Sequence, residues 1–353
     1  MKTVDVLQLG PADKLAGRLL NDRWMVADRL MRDSGDDEGS RCACYRAVAA
    51  GTGRLAFIKA YDFKHDELAG NTERLERLLS EFNNEKRVHE HCKTRKLSRV
   101  TQIFDHGVVM VEGEPVHFIV CEFADKSLRN YHPPGQEGVP AWERLVALRQ
   151  TASALVQLHG VGVAHQDVKP SNAVYFEDGR IKITDLGSSS CIHLPAPPHD
   201  EEPYAGQLSY APYELLYEKS LTSNIPWQRR RYGCDVFLLG NLIFTSFVGG
   251  SLTALMLHCV ADELRPSGFT GAYSEVMPDL LAAHALLIDP AINAVAPASI
   301  ASHLASLVSS LCHPDPLQRG LGRLNSKGER AYEMHRAVSM LDYLALKAKR
   351  DER

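Results

Sequence analysis

The sequence predicts an α+β protein, with strands gathered early and helices filling the last part. Three observations lead there. Between Arg23 and Phe63 the chain reads as strand, loop, strand, turn, strand, with Gly51-Thr52-Gly53 as the turn. Ala173-Val174-Tyr175-Phe176 and Arg180-Ile181-Lys182-Ile183-Thr184 flank Glu177-Asp178-Gly179, the pattern of a hairpin. Everything beyond Leu215 has a helical look. Strands followed by a run of helices is the order of a segregated α+β architecture. The 353 residues, 44% of them hydrophobic, suffice for one large domain or two lobes with substantial cores.

Residues 1–22 form a short lead-in, expected as a strand or helix packed on the strands that follow. Thr72 to Cys92 is a helical stretch. From Val236 to Val260 no acidic or basic side chain appears except His258, and length alone would allow a membrane crossing, for which about 20 apolar residues suffice. Asn241, Thr245, Ser246, Gly249, Gly250, Ser251 and Thr253 dilute that run, and glycine pairs break helices, so a buried core helix is expected. Glu329 to Arg353 places Ala331, Met334, Val338, Leu341, Leu344 and Leu346 at roughly helical spacing, predicting a final amphipathic helix with a basic, frayed tip. The proline-rich stretch Leu194 to Pro203 cannot donate many backbone hydrogen bonds and is expected as an extended, exposed loop.

The chemistry concentrates in His165-Gln166-Asp167-Val168-Lys169-Pro170-Ser171-Asn172 and Asp185-Leu186-Gly187. Asp167 can accept a proton from an incoming hydroxyl, and Lys169 can neutralise charge on a phosphoryl group in flight. Asn172 and Asp185 offer the hard oxygens that Mg²⁺ prefers when substrate phosphates already hold part of its shell. The hairpin between the two ligands fixes their separation, because a tight turn sets the pairing register. This combination points to phosphoryl transfer.

The arrangement resembles the catalytic and metal-binding loops of eukaryotic-like Ser/Thr protein kinases, with HQDVKPSN for H-R-D-L-K-P-x-N and DLG for D-F-G. Further matches follow in the family's order. Leu55-Ala56-Phe57-Ile58-Lys59 looks like the strand whose lysine grips the nucleotide's α and β phosphates. Phe82-Asn83-Asn84-Glu85 looks like the helix whose glutamate pairs with that lysine, with Glu81 one turn earlier as the competitor. Ile119-Val120-Cys121-Glu122-Phe123-Ala124 resembles the last small-lobe strand and the hinge. Gly206 to Glu214 has the spacing of the end of the activation segment, Asp235 to Gly240 looks like the start of the buried central helix, and Asp315-Pro316-Leu317-Gln318-Arg319 resembles the late motif whose arginine pairs with Glu214. These last three favour a protein kinase over a small-molecule phosphotransferase.

The resemblance implies a bilobal protein-kinase-like fold: lead-in 1–22, a small β-rich N-lobe with hinge over 23–124, and a larger helical C-lobe over 125–353. It implies ATP and Mg²⁺ as cofactors and a protein substrate. Asp167 and Lys169 would be catalytic, and Asn172 and Asp185 would hold the metal. Lys59, Glu85, Glu122, Ala124, Val174 and Gly39 would serve the nucleotide. His165 would pack beneath the metal loop, and Asp235 would brace the catalytic loop through backbone amides.

The chain also departs from the family. The phosphate-covering glycine loop, Ser34 to Cys44, is degenerate: only Gly39 sits at an expected position, and Asp36, Asp37 and Glu38 put negative charge near a polyanion. Phe57 replaces the small alanine that roofs adenine. Gln166 replaces the arginine that holds an activation-loop phosphate, which implies activity without such phosphorylation. Gln207 replaces the threonine that contacts the catalytic aspartate. Ser188, Ser189, Ser190, Tyr204 and Ser209 are candidate phosphorylation sites, and Arg229-Arg230-Arg231 reads as a solvated basic run. The damaged loop and Phe57 leave a second reading, a pseudokinase acting as a nucleotide-binding or scaffolding module.

A net charge of −4 and a pI near 6.4 give no global reason to expect nucleic acid or a membrane surface as partner. Met1-Lys2-Thr3-Val4-Asp5 has no apolar signal core, so a cytoplasmic location is expected. The eight cysteines are scattered, with only Cys42 and Cys44 close, which suits reduced thiols better than zinc or a disulfide framework. No feature of the sequence sets an oligomeric state.

Overall fold

In the computed structural model, which describes residues 10–30, 42–61, 63, 72–217, 226–328 and 330–352, the early β-prone runs pair into one antiparallel sheet. Its six strands are β1 (Leu19–Leu20), β2 (Trp24–Leu30), β3 (Cys42–Ala49), β4 (Leu55–Tyr61), β5 (Ile103–Val111) and β6 (Glu114–Glu122), in the order β1-β2-β3-β4-β6-β5. The expected turn joins β3 to β4, and Gly51 and Gly53 adopt φ of +82° and +66°, a conformation that favours glycine. Helix α1 (Thr72–Thr94) matches the predicted helical stretch.

Period-two alternation decides which side of this sheet is dry. Ala43, Tyr45, Ala47 and Ala49 of β3 and Ala56, Ile58 and Ala60 of β4 share a face with Trp24 and Val26, and all are buried. The lead-in covers that face: Ala12 and Leu15 join the cluster, and the Tyr45 hydroxyl donates to the Ala12 carbonyl at 2.6 Å. Lys59 and Tyr61 therefore point to the opposite side. These elements form one unit, Met1–Lys93 with Thr101–Ala124; Thr94–Val100 and Asp125–Arg353 form a second.

The second unit carries two small sheets and most of the helix. Strands β7 (Lys126–Ser127), β9 (Ala173–Tyr175) and β10 (Ile181–Ile183) pair in the order β10-β9-β7, and α2 (Leu128–Tyr131) follows β7. The β9–β10 hairpin holds the expected register, Ile183 opposite Ala173, around Gly179 at φ +82°. A second pair joins β8 (Val163–Ala164) to β11 (Ser190–Cys191). Helix α3 (Ala141–Gly160), the short α4 (Tyr213–Tyr217), α5 (Trp227–Val248), α6 (Leu252–His258), α7 (Tyr273–Val295), α8 (Ala298–Leu311) and α9 (His335–Asp351) complete it.

Helix α5 is the centre, contacting α3, α6, α7 and α8, and Val236 to Phe247 is buried throughout. Its apolar run stops at Gly249, whose φ of +93° lets its N–H cap the Thr245 carbonyl. The chain then bends 84° into α6, and among the described residues no single helix is long and apolar enough to cross a membrane. The last helix starts later than its apolar spacing predicts. Residues 330–334 are drawn into loop contacts, with Arg330 N–H on the Leu317 carbonyl and the Tyr332 hydroxyl on that of Pro316, so α9 begins at His335. None of the eight cysteines is in a disulfide.

Buried histidines are expected to make this unit acid-sensitive: burial pushes both His132 and His284 down from 6.5 to about 4. His284 of α7 is 6% exposed, and His313 nearby adds to its shift. The unfolded chain therefore takes up a proton that the folded chain refuses. The resulting stability is complete above pH 6.5 and disappears as pH falls toward 4. By about pH 5 the loss amounts to about 2 kcal/mol. Replacing His284 with leucine is expected to flatten the fall in unfolding free energy between pH 7.5 and 5 by roughly that amount. Parallel denaturation profiles for the two proteins would contradict it.

Candidate functional site

In the first unit the face of β4 turned away from that core presents Lys59, beside a second buried cluster that includes Tyr61 and Phe82. Lys59 Nζ lies 3.1 Å from both carboxylate oxygens of Glu85 on α1, and the Tyr61 hydroxyl donates to Glu85 Oε2 at 2.5 Å. Glu85 is the partner because it shares the buried helical face of Phe82 and His89. Glu81 bonds Arg77 instead, at 3.1 Å. Tyr61 escaped the sequence reading, although its place two residues beyond Lys59 puts it on the same face. Burial, reinforced by the Glu85 carboxylate, pushes its phenol well up, so it serves as a donor.

Phe57 stands opposite Cys121 and packs on the cluster of Tyr61, Phe82, Ile103, Ile119 and Cys121, so its ring is held by the sheet. Glu122, at the end of β6, exchanges bonds with Gln102: its N–H donates to the Gln102 carbonyl at 2.9 Å, and its carboxylate accepts the Gln102 N–H at 3.4 Å. Ala124 follows, half-buried. Gly39 and the acidic run Asp36 to Glu38 lie outside the described residues.

In the second unit β8 and β9 hold the loop from His165 to Asn172. Asp167 accepts three bonds: Gln207 N–H on Oδ1 at 3.0 Å, and Asn172 Nδ2 and Lys169 Nζ on Oδ2 at 2.9 and 3.0 Å. Burial pushes its carboxyl up while Lys169 and the Gln207 amide oppose, and Asp185 adds to the rise. The loop is braced from beneath. Asp235 of α5, fully buried, accepts Gln166 N–H at 2.7 Å, His165 N–H at 2.8 Å and His159 Nε2 at 2.8 Å. His165 accepts the Asp167 N–H through Nδ1, so its Nε2 carries the proton that bonds the Thr184 carbonyl, one residue before Asp185. Asp185 itself sits at φ +60°. Val174 of β9 is buried.

The sequence matches the protein kinase domain over residues 37–321. The chain belongs to the protein kinase family. Curated relatives include the hormonally up-regulated neu tumor-associated kinase of Mus musculus, 23% identical over 220 residues, which are 62% of this chain and 26% of that protein. A probable cell division protein kinase of Encephalitozoon cuniculi is 32% identical over 108 residues, 30% of this chain and 31% of its own length. The human 3-phosphoinositide-dependent protein kinase 1 is 32% identical over 100 residues, 28% of this chain and 16% of that one. The matches span about a sixth to a third of these relatives' lengths.

The donor set of this kinase suits Mg²⁺. Asn172 donates through Nδ2 to the Asp167 carbonyl and carboxylate, so it is the amide oxygen that would face a cation. With Asp185 it would supply two hard oxygens, a set that suits a Mg²⁺ held also by phosphates and water. The threonine that Gln207 replaces is not needed to touch Asp167, because the backbone N–H at that position makes the contact. The late motif closes as the kinase pattern implies: Arg319 Nη1 and Nη2 meet the Glu214 oxygens at 2.6 and 2.7 Å.

The activation segment corrects three expectations. Pro195 and Ala196 are exposed, but the second half of the proline-rich stretch turns inward as a 3₁₀ turn, Pro198–Glu201, burying Pro197 and His199. Ser189, Ser190 and Tyr204 are buried, so of the five hydroxyls singled out only Ser209 is fully exposed and Ser188 half so. Arg231 does not belong to a solvated basic run: its side chain is buried inside the second unit.

Proposed function

We propose that this protein kinase transfers the γ-phosphoryl group of ATP to serine or threonine hydroxyls of protein substrates. The observation that carries the reading is the Asp167 carboxylate held by Lys169, Asn172 and the Gln207 amide. Lysine two residues after the aspartate is the pattern of the serine/threonine subclass. Asp167 orients the attacking hydroxyl and takes its proton late. Lys169 balances charge on the phosphoryl group in flight, and Lys59, fixed by Glu85, grips the α and β phosphates. Asn172 and Asp185 would hold Mg²⁺, which when bound neutralises phosphate charge; a chelator is expected to abolish transfer. A binding module would have no chemical need for Lys59, Asp167, Lys169, Asn172 and Asp185 together.

Incubation with γ-labelled ATP and Mg²⁺, followed by mass spectrometry, tests this. Label is expected on serine or threonine of the protein itself or of a generic acceptor. Phosphotyrosine alone would overturn the residue class. Thermal stabilisation by ATP with no transfer at all would favour the nucleotide-binding pseudokinase.

A further inference from the structure

Gln166 is neutral, yet it is fully buried beside the catalytic Asp167 at the position where the family resemblance implies a phosphate-binding arginine. Its amide does specific work. Nε2 donates to the Ser188 carbonyl at 2.8 Å and to Ser190 Oγ at 2.7 Å, and Oε1 accepts Arg231 Nη1 at 2.5 Å. Arg231 rises from α5 and reaches Asp200 in the Pro198–Glu201 turn. Its Nη2 lies 2.9 Å from Asp200 Oδ1 and donates to the Asp200 carbonyl at 3.1 Å. Ser190 Oγ donates to the same Oδ1 at 2.5 Å. A ring closes: Gln166, Arg231, Asp200, Ser190 and back to Gln166.

The charge in this ring is fixed by necessity. A guanidinium with no solvent exposure needs an anion, because an unpaired buried charge costs several kcal/mol. The carboxylate against it belongs to the activation segment itself. Asp200 is mostly buried, its side chain 13% exposed. The turn that carries it holds Glu202 N–H on the His199 carbonyl, and Arg230 reaches the Asp200 carbonyl as well.

We infer that Arg231 and Asp200 are positioning residues that lock the activation segment to the catalytic loop with a built-in carboxylate in place of an acquired phosphate. Gln166 is the neutral bridge that transmits this order to Asp167, the next residue. The hydroxyl of Ser190 is consumed in the ring and is not a phosphoacceptor of the folded protein. The inference rests on the kinase reading for its catalytic consequence, but the ordering of the segment can be measured without any activity.

The test uses the full chain and the variants Asp200→Asn, Asp200→Glu, Arg231→Met and the double variant Asp200→Asn/Arg231→Met. In Asp200→Asn, amide hydrogen exchange over residues 188–206 is expected to rise about 10-fold or more, with the β9–β10 hairpin unchanged. The same variant is expected to lose about 10- to 100-fold in kcat with KM for ATP unchanged, and Asp200→Glu to recover part of it. Arg231→Met is expected to cost much less in the Asp200→Asn background than alone, since the cation then has no anion to lose. Phosphatase treatment of the wild type is expected to leave its rate unchanged. Wild-type exchange in Asp200→Asn, or a phosphatase-treated wild type slowed more than about 10-fold, would overturn the inference. A wild type that transfers no phosphate but shows the exchange difference would support the lock while removing the proposed catalytic activity.

Discussion

Asp167→Asn is expected to lower kcat for phosphoryl transfer by about 10²–10⁴-fold, the range a positioned general base supplies. The substitution is close in shape, so the loss measures chemistry more than packing. Asp167 accepts on both oxygens, from Gln207 N–H on one and from Asn172 and Lys169 on the other. An asparagine amide can serve only one of those sides, and its NH₂ must face a donor on the other. Base and orientation therefore fail together. The Lys59–Glu85 pair, proposed to grip the nucleotide, lies on a different strand and helix, so the Kd for ATP with Mg²⁺ is expected to change less than about threefold. Single-turnover transfer and equilibrium binding separate the two. A variant retaining more than a tenth of wild-type kcat would remove Asp167 from the role of base.

The parts legible in the sequence are those set by local periodicity and turn chemistry. The β9–β10 hairpin follows from alternation around a glycine turn, and Glu85 from sharing one helical face with Phe82 and His89. The central helix could be read because its composition left few places other than a core. What escaped depended on contacts between distant segments. Arg229, Arg230 and Arg231 are identical letters, and only the helix phase against the activation segment decides that the third is buried. Burial of Ser190 follows from β11 pairing with β8, 26 residues upstream for Ser190 opposite Ala164. The apolar spacing of residues 331–334 promised another helical turn, but the Leu317 and Pro316 carbonyls claim that segment first.

The second large effect concerns stability. Glu214→Gln is expected to destabilise the second unit by about 3–5 kcal/mol, because it strips the anion from a guanidinium that has no access to water. Arg319 is fully buried, bound to both Glu214 oxygens, with further bonds to the His313 carbonyl at 3.2 Å and its cation 5.0 Å from the Phe237 ring. Burial alone would push this guanidinium down, but Glu214, helped by Tyr273 and Tyr332, holds it above its ordinary value, so the charge persists. The double variant Glu214→Gln/Arg319→Met is expected to be more stable than Glu214→Gln alone, since removing both partners leaves no orphaned charge. Added salt is expected to leave the difference nearly intact, because ions screen a largely buried pair only weakly. Chemical denaturation of the wild type, Glu214→Gln, Arg319→Met and the double variant measures the coupling. Additive losses, or a Glu214→Gln cost under about 1 kcal/mol, would show that the pair contributes little. The pair stands close to the site along the chain: Glu214 sits in α4, seven residues after Gln207, whose N–H donates to Asp167 at 3.0 Å.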